Sequence, residues 1–168
     1  MRMKSVLVCG FVLTVAAAAS AQTKFSGAMQ CAKPDPEYMV PVGDRPNHIM
    51  SLSKDKCTWT QGEIAGIQIK DEDDTIVSDI SGNAARERGY GVTVLANGDK
   101  GFLRFEGTTT LKDKAPVSTQ GTWSFTGGTG KLKGIRGKGT YKGKWNPDGT
   151  STFDIDGEYQ LPTATSSK

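Results

Sequence analysis

Residues 137–160 read GKGTYKGKWNPDGTSTFDIDGEYQ, and their period of two decides the fold. Gly139, Tyr141, Gly143 and Trp145 share one side of an extended chain, with Lys138, Thr140, Lys142 and Lys144 on the other. After NPDG (146–149), Phe153, Ile155, Gly157, Tyr159 and Leu161 share a side against Asp154, Asp156 and Glu158. Pro147 fixes the entry to the intervening turn and Gly149 accepts a positive φ, so the two runs form a hairpin. Lys142 and Lys144 are then expected to meet Asp154 and Asp156 across the pair, at roughly 0.2–1 kcal/mol each. Burying Lys138, Lys142, Lys144, Asp154, Asp156 and Glu158 would be prohibitive, so the aromatic side is expected to face inward.

Upstream, short alternating runs separated by turn residues predict further strands at Cys57–Gln61, Ile64–Lys70, Tyr90–Ala96, Gly101–Thr110 and Gly121–Thr126, with others near Phe25 and at Ile49–Leu52. Asn97-Gly-Asp99 is a turn of the same kind. Ser81–Arg88 reads as a turn or a single helical turn, and Asp71-Glu-Asp-Asp74 as a polar hairpin turn. With small glycines on the inward side to allow sharp coiling, the expected fold is all-β, an antiparallel barrel of about eight strands.

The run GTWSFTGGTGKLKGIRGKGTY (121–141) resembles the glycine-rich segment of bacterial proteins with the allene oxide cyclase-like barrel, and the resemblance covers residues 101–161. It implies an eight-stranded antiparallel barrel with a largely apolar interior. The motif is a turn signature and not a catalytic one, and the plant cyclases' catalytic positions find no match residue by residue, so the resemblance carries the barrel and not the cyclase activity.

At the other end, two basic residues, an apolar stretch Val6–Ala19 and the small-x-small pattern Ala19-Ser-Ala21 read as a signal peptide over 1–21, with a mature start at Gln22. The stretch is short for a membrane span. The expected location is the periplasm or the exterior of a bacterium. Once Cys9 leaves with that segment, Cys31 and Cys57 remain, in a compartment where disulfides persist, and are expected to pair. They enclose Ala32–Lys56, which holds four of the seven prolines and reads as a long stapled loop. The expected organisation is thus a signal peptide (1–21), an N-terminal extension with the disulfide loop and first strands (22–60), a barrel core (61–162) and a short flexible tail (163–168).

The 21 Lys and Arg nearly balance the 18 Asp and Glu, which predicts no nucleic-acid partner. Lys131, Lys133, Arg136, Lys138, Lys142 and Lys144 form a basic run, yet strand parity separates the last three from the aromatics and makes them a solvated face. Gly128, Gly130 and Gly134 lack dinucleotide spacing and precede a strand, so they make a turn and no phosphate cradle. The acidic runs lack calcium-loop spacing, one histidine and two mature cysteines leave no metal set, and no cofactor is expected. His48 could serve as a general base oriented by Asp44 or Glu63, and these three are the catalytic candidates. The favoured function is a non-catalytic exported barrel binding a small apolar ligand or a protein partner. Trp123, Phe125, Tyr141, Trp145, Phe153 and Tyr159 are the expected lining. The alternative is a barrel enzyme of the isomerase, cyclase or lyase type, which would need buried polar groups aimed into the pocket.

Overall fold

The computed structural model describes residues 22–162. The expected signal peptide with Cys9, and the tail 163–168, lie outside the described residues. Ten strands follow one another: β1 (Thr23–Cys31), β2 (Glu37–Pro41), β3 (Ile49–Gln61), β4 (Glu63–Ile64), β5 (Ile67–Ser81), β6 (Ala84–Leu95), β7 (Lys100–Lys112), β8 (Ala115–Gly128), β9 (Arg136–Trp145) and β10 (Ser151–Gln160). All pairings are antiparallel. β10 pairs with β1, β1 with β3, and β3 with β5, which closes β1, β3 and β5–β10 into a barrel of eight strands. The short β2 runs beside the first half of β3, and β4 beside the start of β5. No helix among the described residues is long and apolar enough to cross a membrane.

Several expectations change. The barrel wall does not begin at residue 61, because β1 and β3 are two of its eight staves. The stapled segment Ala32–Lys56 is no loop: Cys31 and Cys57 are direct partners in the β1–β3 register and form the expected disulfide, and the chain between them folds back as β2 against β3. Ser81–Arg88 is not helical; Gly82, at φ 62°, turns the chain into β6. Asp71–Asp74 is mid-strand and not a turn, paired with β3 on one edge and β6 on the other. The expected strand Ile64–Lys70 is split by Ala65 and Gly66, both at positive φ. Asp154 opposes Lys142 as expected, whereas Lys144 faces Thr152 and Asp156 faces Thr140.

Inside, the expected parity holds. Trp123, Tyr141 and Tyr159 are buried and Phe125, Trp145 and Phe153 half-buried, while Lys138, Lys142, Lys144, Asp154 and Asp156 are exposed; Glu158, partly covered, pairs with Lys24 at 3.5 Å. Ile64, Ile69, Leu95, Leu132 and Ile135 close one end of the barrel, all at or below 2% exposure. Leu132 is delivered there by a 3-10 turn at Gly130–Leu132, part of the glycine-rich run read as a turn, whose Lys131 N–H donates to Asp99 Oδ2 at 3.0 Å.

Large rings fit in so narrow a barrel because glycines stand beside them. A Cβ at Gly121 would lie 2.5 Å from Tyr141 Cζ, and one at Gly139 or Gly157 would strike Trp123 and the neighbouring strand's backbone. Replacing Gly121 by Ala should therefore cost about 1–3 kcal/mol through overpacking. Gly127→Ala on the same strand, where the nearest atom would be 3.8 Å away, should change stability by less than about 0.5 kcal/mol. Urea unfolding of the two variants measures the contrast, and equal losses would contradict the packing account.

Candidate functional site

The lumen has two chemically distinct walls. Phe105 on β7, Trp123 and Phe125 on β8, Tyr141 and Trp145 on β9, Phe153 on β10 and Phe25 on β1 form the aromatic wall. Its rings stack edge to face: Trp123 with Phe125 at 5.2 Å, Phe25 with Trp123 at 5.8 Å and Phe105 with Tyr141 at 6.0 Å between centroids. The facing wall, from β3, β5 and β6, presents Asp55, Glu72, Asp74 and Glu87. Between the walls remains a cavity of about 70 Å3, and no Lys, Arg or His is among the residues that line it.

Register explains how acids come to point inward. Asp55 shares the parity of Cys57 and Trp59 on β3, so the disulfide and the indole commit it to the interior. Asp55 opposes Asp74, and Asp74 opposes Gly91, where a Cβ would fall 2.5 Å from Asp74 Oδ1. Asp55 is 4% and Asp74 6% exposed, and one carboxyl oxygen on each, Oδ1, has no hydrogen-bond partner. Glu72 accepts from Thr93 Oγ1 at 2.6 Å. Glu87 receives Thr109 Oγ1 at 3.0 Å and Tyr141 OH at 3.4 Å, with Thr109, Thr119 and the Trp145 indole N–H continuing as a hydrogen-bonded chain toward the rim.

Burial dominates the titration of every one of these groups. It pushes the Asp55 carboxyl up to about 6, with Glu87 and Glu37 adding to the rise and the Ser53 hydroxyl opposing it. Asp74 is driven well above the carboxylate range by burial, then by the charges of Glu72, Asp55, Asp73 and Glu87. Glu72 and Glu87 rise by burial against the hydrogen bonds they accept, and the Tyr141 phenol is raised by burial and by Glu87.

The catalytic candidates lie elsewhere. His48 sits at the tip between β2 and β3, its Nδ1 2.5 Å from Asp44 Oδ1 and its Nε2 2.9 Å from Asp79 Oδ1, while Arg45 Nη1 meets Asp44 Oδ2 at 2.6 Å. The hydrogen bond to Asp44 raises the His48 pKa. With a carboxylate at each ring nitrogen, the favoured form is an imidazolium tying the hairpin to the end of β5. Glu63 is exposed on β4, at the other end of β3. At about 3.3 Å per residue, the 13 residues of β3 hold it roughly 40 Å from His48, and none of the three lines the cavity. Of the expected aromatic lining, Trp123, Phe125, Tyr141, Trp145 and Phe153 line it; Tyr159 lies deeper, its hydroxyl accepting the Ala65 N–H at 2.9 Å. Sequence reasoning missed the four lumen acids, although the shared parity of Asp55 with Cys57 and of Asp74 with Ile76 was a usable signal.

The buried acids give the barrel an inverted pH response. Asp55 binds its proton more tightly folded than unfolded, so its contribution to stability is fully present below the ordinary aspartate value of 3.8 and is lost as pH rises through about 6. That contribution is about 3 kcal/mol, and Asp74 acts in the same sense. The melting temperature should therefore rise as pH falls from about 8 to about 5. Asp74→Asn should raise it at the upper end and flatten the profile. Scanning calorimetry across that range checks both; a wild-type profile falling toward low pH would contradict the assignment.

No protein-family model matches the chain, and no curated protein matches it. Among solved structures, the chain is similar to the pterocarpan synthase dirigent protein PsPTS1, at 15% identity and a TM-score of 0.51, over 86% of this chain and 97% of that one. It is also similar to the pterocarpan synthase dirigent protein GePTS1, at 14% identity and a TM-score of 0.48, over 84% and 92%. At such identity the first likeness establishes the fold alone: a closed, antiparallel, eight-stranded barrel.

Proposed function

We propose that this chain is an exported, non-catalytic binding barrel that holds a small, largely apolar ligand in its lumen. The observation that carries this reading is the unfilled cavity of about 70 Å3 between rings that otherwise pack edge to face. On this measure a single water needs about 10–15 Å3, so the space suits a compact molecule or the slender end of a longer one. Trp123, Phe125, Tyr141, Trp145 and Phe153 form its apolar contacts, with Tyr159 supporting the floor. Export to the periplasm or beyond is supported by the Cys31–Cys57 disulfide and by the signal pattern in residues 1–21. A partner-binding role finds support in Tyr38, Val40, Met50 and Leu52, exposed on the outer face of β2 and β3.

A second reading, a barrel enzyme of the isomerase, cyclase or lyase type, is favoured by one observation: buried carboxyl groups and the Tyr141 phenol border the same cavity, a placement suited to general acid chemistry. The fold neighbour PsPTS1 is named a synthase.

Titration with short alcohols and small aromatics, followed by tryptophan fluorescence, tests binding, because Trp59, Trp123 and Trp145 all border the cavity. A saturable response is expected, weakened at least about tenfold, or about 1.4 kcal/mol, by Ile76→Phe, which extends a half-buried cavity residue into the space. The absence of any response in folded protein would overturn the reading. Ligand recovered unchanged by NMR after prolonged incubation supports binding alone, and recovery of an isomer transfers the assignment to the second reading.

A further inference from the structure

Resting on the lumen-binding reading, we infer that the ligand's polar end is a primary ammonium group, seated between Asp55 and Asp74 with its carbon chain against the aromatic wall. Two carboxylates are direct cross-strand partners, Asp55 on β3 and Asp74 on β5, a placement that is unfavourable for like charges. Both are more than nine-tenths buried, both border the cavity, and each has an Oδ1 with no donor. Two further atoms, Ser151 Oγ and the Trp59 indole Nε1, are buried without a partner as well.

Nothing in the cavity lining supplies the missing positive charge. The other acids nearby deepen the deficit. Glu72 is satisfied by Thr93, and Glu87 by Thr109 and Tyr141, which leaves the Asp55–Asp74 pair as the place where a donor is lacking. An ammonium group brings both items at once, a unit charge and three N–H donors. Opposite it, the rings of Trp123 and Tyr141 offer the π-systems that attract organic cations. Among the described residues no three His, Cys, Asp or Glu side chains converge as a metal ion would require, which directs the choice to an organic cation. Gly91 completes the arrangement, since any side chain there would fill the space that Asp74 Oδ1 occupies.

Three probes of equal length separate charge from shape: propylammonium, 1-propanol and propionate, titrated against the full mature chain at constant ionic strength near pH 8 and near pH 5. Propylammonium is expected to bind at least about tenfold tighter than 1-propanol near pH 8. Propionate should be the weakest, and the cation's advantage should shrink near pH 5 as the pair takes up protons. Asp55→Asn and Asp74→Asn should each abolish the preference, bringing propylammonium and 1-propanol to within about threefold of one another. Because these variants are neutral and near-isosteric, melting curves suffice to confirm that they fold. Wild-type calorimetry in two buffers of different ionisation enthalpy provides a check without variants: proton release on cation binding near pH 6 is expected. Equal binding of 1-propanol and propylammonium near pH 8 overturns the ammonium assignment and leaves the lumen reading standing. A cation preference that survives in both Asn variants locates the cation on the surface and overturns it too. Failure of all three probes overturns both.

Discussion

The structure depends on one steric constraint: eight strands enclose too little space for the rings they carry unless the adjacent strand gives way. Gly121 and Gly107 admit Tyr141, Gly139 and Gly157 admit Trp123, Gly89 admits Phe105 and Gly143 admits Phe153. Each ring covers glycine backbone on neighbouring strands, which keeps water from those ladder hydrogen bonds and fixes the register at the same time. The glycines that weaken an isolated strand are thus, in the closed barrel, what permits the core to form.

The acidic wall follows from the same geometry. Rings crowd β7–β10 and β1, so residual space collects beside β5 and β6, where Gly91 replaces a side chain. Asp74 extends into that space and Asp55 meets it from β3. Three buried acids and the half-buried Glu87, without a basic partner, are a standing cost to the fold, larger as pH rises. The aromatic packing and the disulfide offset it.

How far the residues alone reveal this differs along the chain. The β9–β10 hairpin was legible because apolar and charged residues alternate without a break and the NPDG turn has a single geometric reading. The disulfide was legible because two cysteines remain after Cys9. Asp71–Asp74 was not, because four consecutive acids show no apolar alternation; the inward placement of Glu72 and Asp74 is imposed by pairing with β3 on one edge and β6 on the other. Ser81–Arg88 misled for a related reason, since Arg86 and Arg88 project outward and Glu87 inward, which hides the strand period behind charge. Within the site, the aromatic wall could be read from parity. The acids could not, because on an ordinary strand a charged parity marks the solvent side, and the exception rests on partners distant in sequence.

The seam between β1 and β3 gives the disulfide a significance beyond holding two cysteines together. Only Ala28–Cys31 pair with Gln61–Cys57 there, with a register shift, whereas β1 meets β10 along all nine of its residues. A cylinder splits along its shortest weld, and here that weld carries a covalent rivet at the end nearer the rim. In the oxidised protein the two strands cannot part along this line without breaking a covalent bond. Reduction would leave the same line held by four residue pairs alone, the least secured join in the wall.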